Sequence, residues 1–251
     1  MRVAILVDGG LFLKRFRHIY PEVKYDDPKA VAEAMYTMAA RHLYRREKPD
    51  AGGKWRNVRD GELHRIMFYD CPPLEKRLHK PISKKAINLA DTPEAKFRIA
   101  FHEELRKRRK VALRLGRLDE KNAAWKLKAG ILQSLLKSER DFKDLKDEDF
   151  IYYARQKVVD TKIGLDIALL SEKKQVERIV LVAGDSDFVP AAKHARREGV
   201  DFVLDPMWNP ITPDLFEHID GLRSTALDPK KRGMRNNRAE ADDAVIDLGE
   251  F

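Results

Sequence analysis

Aspartates follow the most apolar segments of this sequence. Asp8 ends the run RVAILV, and Asp185 and Asp187 follow the run RIVLVAG at 178–184. Asp160 stands directly before a segment with helical spacing. Carboxylate oxygens suit hard cations such as Mg²⁺ or Mn²⁺, and two such ions can activate a water and stabilise both reacting oxygens of a phosphodiester. The pattern makes a shared metal-carboxylate site one candidate chemistry.

Each of these aspartates also has a purely structural interpretation. Asp8 could be a turn residue before two glycines. Asp160 could cap a helix that begins at Thr161, and Asp187 could cap the helix that carries Pro190. A structural role explains each aspartate singly better than it explains all of them together, because Asp8 and Asp185 end the two most apolar strands. The residues alone leave both interpretations open.

Asp166 is a fifth candidate, with a different geometry. It follows Asp160 by six residues, a rotation of roughly 240° on a helix, so the two side chains share a face only if Asp160 lies outside the helix. Its neighbours are apolar, and a carboxylate there is costly unless it is paired or metal-linked. We expect Asp166 to bind the metal, to assist a ligand, or to pair with Lys162 or Lys157.

The elements that must position these residues alternate along the chain. Apolar runs predict strands at 2–7, 65–70, 178–184 and 201–207, with a further short strand in VALRLGRL. Helical spacing and helix-start residues predict helices at 28–44, 93–110, 161–170, 188–198 and 212–219. Strands separated by helices imply an α/β fold with a central parallel sheet flanked by helices on both faces. Ligands of such sheets bind beyond the carboxyl ends of the strands.

The composition favours an anionic partner. The chain has 251 residues, 43% of them hydrophobic and 36% charged, with a formal net charge of +9. Nucleic acid is the first candidate partner for such a balance, and a basic surface without a partner is the alternative. We expect one domain at 1–225, with insertions near 45–65 and 115–150, and a disordered charged tail at 226–251.

Several classes of protein are disfavoured. Cys71 is the only cysteine, so no internal disulfide or cysteine-rich zinc site can form, which fits a cytoplasmic location. Neither a signal peptide nor a membrane-spanning run is evident. Gly9 and Gly10 lack the third glycine of a dinucleotide fingerprint, which disfavours a nucleotide-binding Rossmann protein.

Basic and aromatic residues offer substrate contacts. Lys14 and Arg15 lie just past Asp8, where they could meet phosphate. Arg108 belongs to a basic run at 107–110 that is either a phosphate-tracking surface or a solvated helix end. Trp208 follows the strand at 201–207 and could stack a base or pack within a loop.

Three segments together resemble the NYN family of PIN-like ribonucleases. They are VDGG at 7–10, VVDTKIGLDIALL at 158–170 and LVAGDSDFVPAAKHARREGV at 181–200. The resemblance implies a PIN-like fold and hydrolysis of RNA with Mg²⁺ or Mn²⁺. It assigns metal binding and catalysis to Asp8, Asp160, Asp185 and Asp187, and Asp166 matches a further aspartate of the family pattern.

The resemblance extends to one substrate contact and departs from the family at one position. Ser186, between two expected ligands, could hydrogen-bond a carboxylate or a substrate phosphate. Many members carry Asn three residues after the first aspartate, where this chain has Leu11.

The resulting prediction is a metal-dependent ribonuclease. Attack by a metal-activated water would cleave the phosphodiester without a covalent intermediate. We expect RNA as the partner, preferably single-stranded, with no membrane association and with a homodimer as one possible assembly. The alternative is an RNA-binding or regulatory module of the same fold with weak or no catalysis.

Overall fold

The computed structural model describes residues 1–48, 56–226 and 228–230. Its strands are β1 (Arg2–Asp8), β2 (Tyr44–Glu47), β3 (Arg56–Arg59), β4 (Glu62–Asp70), β5 (Arg77–His79), β6 (Ala86–Asn88), β7 (Val111–Leu115), β8 (Arg117–Leu118), β9 (Ala124–Leu127), β10 (Phe150–Tyr153), β11 (Gln156–Lys157), β12 (Arg178–Val182), β13 (Asp201–Asp205) and β14 (Gly221–Leu222). Its α-helices are α1 (Gly9–Ile19), α2 (Pro28–Ala40), α3 (Pro93–Arg106), α4 (Ala129–Leu136), α5 (Val159–Glu172), α6 (Val189–Arg197) and α7 (Pro213–Glu217).

A parallel sheet forms the centre of the molecule. Its order is β14-β13-β12-β1-β4-β7, and every neighbouring pair is parallel. The chain first runs outward from β1 through β4 to β7, then crosses β1 and runs outward through β12, β13 and β14. The direction of winding therefore reverses between β1 and β12. Such a switch point opens a crevice beyond the carboxyl ends of the two strands, which here are Asp8 and the segment after Val182.

Alternate residues of β1 build two separate cores. Val3, Ile5 and Val7 pack on one face, with helices α1, α2 and α3. Ala4 and Leu6 pack on the other face, with α5 and α6. This period of two is the geometry of a strand buried on both sides, and the sheet with helices on both faces confirms the predicted fold class.

The predicted elements differ from the observed ones mainly at their ends, and helices α1 and α4 match none of the predicted helices. Helix α1 begins directly after Asp8, where only a turn was expected. The helix predicted at 28–44 ends at Ala40, followed by a short 3-10 helix and then β2. Helix α5 begins at Val159, two residues before the predicted start, so Asp160 lies inside the helix. The predicted helix at 93–110 ends at Arg106, and β7 follows.

The two expected insertions fold as small hairpins and helices. Strands β2 and β3 pair antiparallel, and residues 49–55 between them lie outside the described part. Between β7 and α5, β9 pairs with β10 and β8 pairs with β11. The predicted tail at 226–251 lies outside the described residues except for 226 and 228–230. No helix of the described ranges is long and apolar enough to cross a membrane.

Candidate metal centre

Asp8 occupies the carboxyl end of the central strand and caps α1. Its Oδ1 accepts hydrogen bonds from the backbone N–H groups of Gly10 at 2.8 Å and Leu11 at 3.3 Å. Burial raises the pKa of Asp8 from 3.8 to about 6, these two hydrogen bonds oppose the rise, and the charges of Asp160 and Asp70 add to it. Asp8 therefore caps a helix, and it is also a half-buried carboxylate whose charge an added cation would stabilise.

The chain passes very close to the neighbouring strand directly after Asp8. A Cβ atom on Gly9 would lie 2.6 Å from the carbonyl oxygen of Tyr69 and 2.7 Å from the ring of Phe68. Only glycine fits there without displacing β4. This close approach holds the start of α1, and with it the Asp8 carboxylate, against the edge of the sheet.

Asp160 lies in the first turn of α5 and is exposed. The helix is entered through Val158, which has a left-handed backbone with φ of 74°, a strained conformation for a β-branched residue. Desolvation raises the pKa of Asp160, and the charges of Asp185 and Asp187 raise it further. Asp160 is thus electrostatically linked to Asp8 on one side and to the acidic pair after β12 on the other.

The segment after β12 presents two exposed carboxylates on a rigid turn. Asp185 caps the short 3-10 helix Ser186–Phe188, and its Oδ1 accepts the backbone N–H of Asp187 at 3.0 Å. Phe188 is 2% exposed and anchors the turn in the core beneath α5 and α6. Asp185, Ser186 and Asp187 are exposed, so the turn directs its polar side chains out of the sheet edge.

The four carboxylates form one acidic group without an ion-pair partner in the described ranges, although the charge of Arg155 lowers the pKa of Asp160. Within the described ranges, none of Asp8, Asp160, Asp185 and Asp187 forms an ion pair with Lys, Arg or His. Their oxygens are the donors that Mg²⁺ and Mn²⁺ prefer. Their chemistry therefore fits a divalent cation, which would relieve their mutual repulsion.

The four carboxylates are spaced more widely than a compact, fully protein-bound ion requires. In the described part of the chain, the one group of three or more ligand atoms within 4.8 Å of one another is Asp214, Glu217 and His218 on and after α7. The wider spacing at the strand ends suits a hydrated ion, since Mg²⁺ keeps several waters and takes only one or two carboxylates directly.

Comparison with protein families gives a match to the part of the chain that contains the acidic group. The model of the NYN domain matches residues 2–211. The chain belongs to the NYN domain family. The α/β architecture agrees with the PIN-like nuclease fold of that family, whose nucleases usually use divalent metals. The chain has no significant match among curated proteins or among solved structures.

Asp166 of this NYN domain faces away from the strand-end group. It is buried, and its carboxylate accepts two hydrogen bonds from the Arg114 guanidinium, one of them at 2.9 Å from Nε. The Tyr69 hydroxyl donates a third, at 2.8 Å. The expected pairing with Lys162 or Lys157 was wrong, because Lys162 donates to the carbonyl of Leu115 and Lys157 pairs with Asp119. Both oxygens of Asp166 are thus engaged by protein groups, and metal binding by Asp166 stays a prediction.

The predicted substrate contacts lie at opposite ends of the parallel strands. Lys14 on α1 and Ser186 between Asp185 and Asp187 are exposed, and Arg15 donates from Nε to the carbonyl of Met207 at 3.2 Å. Arg108 lies after the C-terminus of α3, where β7 begins, and therefore at the opposite edge of the sheet. It pairs with Glu33 and lies over the ring of Tyr36. A role of Arg108 in binding substrate phosphates stays a prediction, and it would act at the end of the sheet opposite to the acidic group.

Two further strand-end aspartates of the NYN domain are buried and fully engaged. Asp70 ends β4 and pairs with Arg98 at 2.6 Å and His102 at 2.8 Å, both from α3. Asp205 ends β13 and contacts His42 at 3.0 Å and the Ser224 hydroxyl at 2.8 Å. Asp70, like Asp8, ends an apolar strand in the sequence. The partners of Asp70 are 28 and 32 residues away in the chain, so no local sequence pattern predicts them.

Proposed function

We propose that this NYN domain is a metal-dependent ribonuclease that hydrolyses RNA phosphodiester bonds. The observation that carries the proposal is the unneutralised carboxylate group at the switch point of the sheet. The charges of neighbouring aspartates contribute to the raised pKa values of Asp8 and Asp160, and carboxylates perturbed in this way in a crevice are candidates for a functional site. The family's nuclease character supports the same conclusion.

In this proposal Asp8, Asp160, Asp185 and Asp187 would hold Mg²⁺ or Mn²⁺, which when bound would activate a water and neutralise charge on the phosphate oxygens. The backbone N–H groups of Gly10 and Leu11 orient the Asp8 carboxylate. Ser186 lies between two ligands, so its hydroxyl can donate to a phosphate oxygen, and Lys14 supplies positive charge near the same edge. No side chain acts as a covalent nucleophile: burial raises the pKa of the Cys71 thiol to about 11, which keeps it protonated at neutral pH.

RNA in single-stranded form is the proposed substrate. Trp208 follows β13 at the same edge of the sheet and is 41% exposed. Its backbone N–H donates to Ser224 Oγ at 3.2 Å, and its indole N–H donates to the carbonyl of Ala226 at 3.0 Å. A fixed, half-exposed aromatic ring is a surface on which an unpaired base can stack. The net charge of +9 favours the same polyanion.

A weakly active or inactive RNA-binding module is the second candidate, and Leu11 favours it. Leu11 stands where many family members carry Asn, and its Cδ1 would lie 4.0 Å from a Cβ on Gly184. The side chain therefore lies between the ends of β1 and β12, within the crevice. An alkyl group there supplies no donor or acceptor for a ligand water or a phosphate.

Cleavage of a labelled single-stranded RNA in Mn²⁺ separates the two candidates. We expect wild type and Asp26→Asn, a charge-matched surface control, to cleave it, and Asp185→Asn to lose cleavage while keeping its melting temperature. Cleavage that survives in Asp185→Asn would refute the site. RNA binding without cleavage in all three proteins would favour the module.

The location and assembly of the protein stay predictions. We propose a cytoplasmic protein, on the evidence of its cysteine usage, with a homodimer as the assembly to test. Sedimentation of the purified full chain over a range of concentrations measures the assembly, and a constant monomer mass would exclude the dimer.

A further inference from the structure

A cavity of about 260 Å³ lies between the segment that follows β4, the first half of α3 and the insertion that follows β7. Its polar lining includes Glu94 and Arg98 from α3 and Gln156 from β11, and its apolar walls include Pro72, Pro73 and Tyr152. Ligand clefts for drug-sized molecules start at about 300 Å³. A cavity of this size therefore suits one small planar group.

The cavity approaches the proposed metal centre at Gln156. Gln156 lines it, and the side-chain oxygen of Gln156 would lie 3.8 Å from a Cβ on Gly10, the residue whose N–H binds Asp8. Cys71 also lines the cavity. Gly116 packs closely against this wall, since a Cβ on Gly116 would lie 3.2 Å from the Cys71 sulfur and 2.7 Å from the Lys157 carbonyl oxygen. A polynucleotide with its phosphate at the aspartates could thus place an adjacent base in the cavity.

The charges of the lining disfavour a phosphate in the cavity. Arg98 Nη1 donates to the buried Asp70 carboxylate at 2.6 Å, so the charge of the guanidinium is already balanced. Glu94 brings a further negative charge and has no hydrogen-bond or ion-pair partner in the described part of the chain. An anion would be repelled, whereas an uncharged group with hydrogen-bond donors would be attracted.

Glu94 and Arg98 are four residues apart on α3, so their side chains lie next to each other on one face of the helix. Together they offer a carboxylate acceptor pair beside guanidinium donors that Asp70 holds in place. Among the RNA bases, guanine presents the matching edges: adjacent N–H donors at N1 and N2, and the acceptors O6 and N7. We propose that this cavity is a guanine subsite that selects the base next to the cleaved phosphate. The cleavage part of this inference rests on the proposed ribonuclease function, whereas the base recognition does not.

Binding of nucleosides to the full chain in EDTA tests the recognition without metal or phosphate. We expect guanosine to bind roughly tenfold more tightly than adenosine, and more tightly than inosine, which lacks the N2 amine. Glu94→Gln should remove this preference. Glu103→Gln, on an exposed part of the same helix, is the matched control and should keep it, and thermal unfolding verifies that both variants are folded.

Equal binding of all nucleosides by wild type, or an unchanged preference in Glu94→Gln, would overturn the proposal. Mapping of cleavage positions on a mixed-sequence RNA then tests its link to catalysis. Cleavage next to guanine in wild type and at unselected positions in Glu94→Gln supports the subsite. Cleavage without base preference in wild type refutes selection at the cut, whereas guanosine binding without any cleavage refutes the ribonuclease and leaves the recognition established.

Discussion

Asp166 and Arg114 form a two-armed ion pair across α5 and β7, and the Tyr69 hydroxyl donates to the same carboxylate at 2.8 Å. Asp166 is buried, whereas Asp160 on the same helix is exposed. Both aspartates of α5 match the family pattern, but their surroundings differ. Asp160 belongs to the acidic group, whereas Asp166 holds the helix against the sheet.

The first prediction separates these two roles. Asp166→Asn should lower the free energy of unfolding by about 1–3 kcal/mol, because it weakens charge-assisted hydrogen bonds to a buried group. It should leave the affinity for Mn²⁺ unchanged. Urea unfolding and calorimetric Mn²⁺ titration measure the two effects. A loss of Mn²⁺ affinity in Asp166→Asn without a loss of stability would show instead that Asp166 is a metal ligand.

The second prediction concerns Asp8 and pH. Because burial raises its folded-state pKa from 3.8 to about 6, the charged carboxylate opposes folding. The cost is absent below about pH 4 and complete above about pH 6, given those two values. Asp8→Asn keeps a residue that caps helices well, so in EDTA at pH 7.5 it should be more stable than wild type by on the order of 1–3 kcal/mol. The difference should vanish near pH 4. Equal stability of the two proteins at pH 7.5 would contradict the burial of this charge.

Much of the fold could be predicted from the sequence because β1 and β12 contain uninterrupted apolar runs, with Asp8 at the end of β1 and Asp185 shortly after β12. A central strand buried on both faces produces that signal, and the parallel sheet follows from it. Helix α1 was missed because Gly9 and Gly10 indicate a turn. The reason for Gly9 is the passing carbonyl of Tyr69, which no local pattern reveals.

The four aspartates of the acidic group were named from the sequence, and their joint role in metal binding stays a prediction. Asp8 and the pair Asp185 and Asp187 lie at one edge because parallel strands end together, and Asp160 approaches them from the first turn of α5. The pairing of Asp166 with Arg114 joins residues that are 52 positions apart, and the engagement of Arg108 by Glu33 joins residues 75 apart. Contacts at such separations depend on how helices cross the sheet, which spacing along the chain does not encode.

The third prediction concerns removal of metal. Mn²⁺ at a hundred times its dissociation constant should raise the free energy of unfolding of wild type by about 2.7 kcal/mol, because a ligand that binds only the folded state shifts the equilibrium towards that state. Asp185→Asn and Asp160→Asn should lose most of this effect, and EDTA should reverse it in wild type. Stabilisation that persists in both variants and disappears in His218→Ala would assign the ion to the group on and after α7.

The fourth prediction concerns Trp208. Trp208→Ala should weaken binding of single-stranded RNA by about 1–3 kcal/mol, the usual worth of one stacked base, and should leave duplex RNA binding nearly unchanged. Trp208→Phe should retain most of the affinity. Phe216→Ala, an aromatic residue that is 58% exposed on α7, is the matched control. Fluorescence anisotropy with labelled RNA measures each affinity, and equal losses for the Trp208 and Phe216 variants would remove the stacking role.

The last prediction concerns the residue that departs from the family pattern. Leu11 packs partly against the core beside Gly184, so Leu11→Asn should cost about 1 kcal/mol of stability through lost apolar burial. It also brings an amide into the crevice between the ends of β1 and β12, where it can donate to a ligand water or to a phosphate oxygen. We therefore expect a higher turnover rate on single-stranded RNA despite the lower stability. Leu11→Ala removes the same apolar contact without adding an amide, so it isolates the effect of stability. Turnover that falls equally in both variants would show that Leu11 serves only packing.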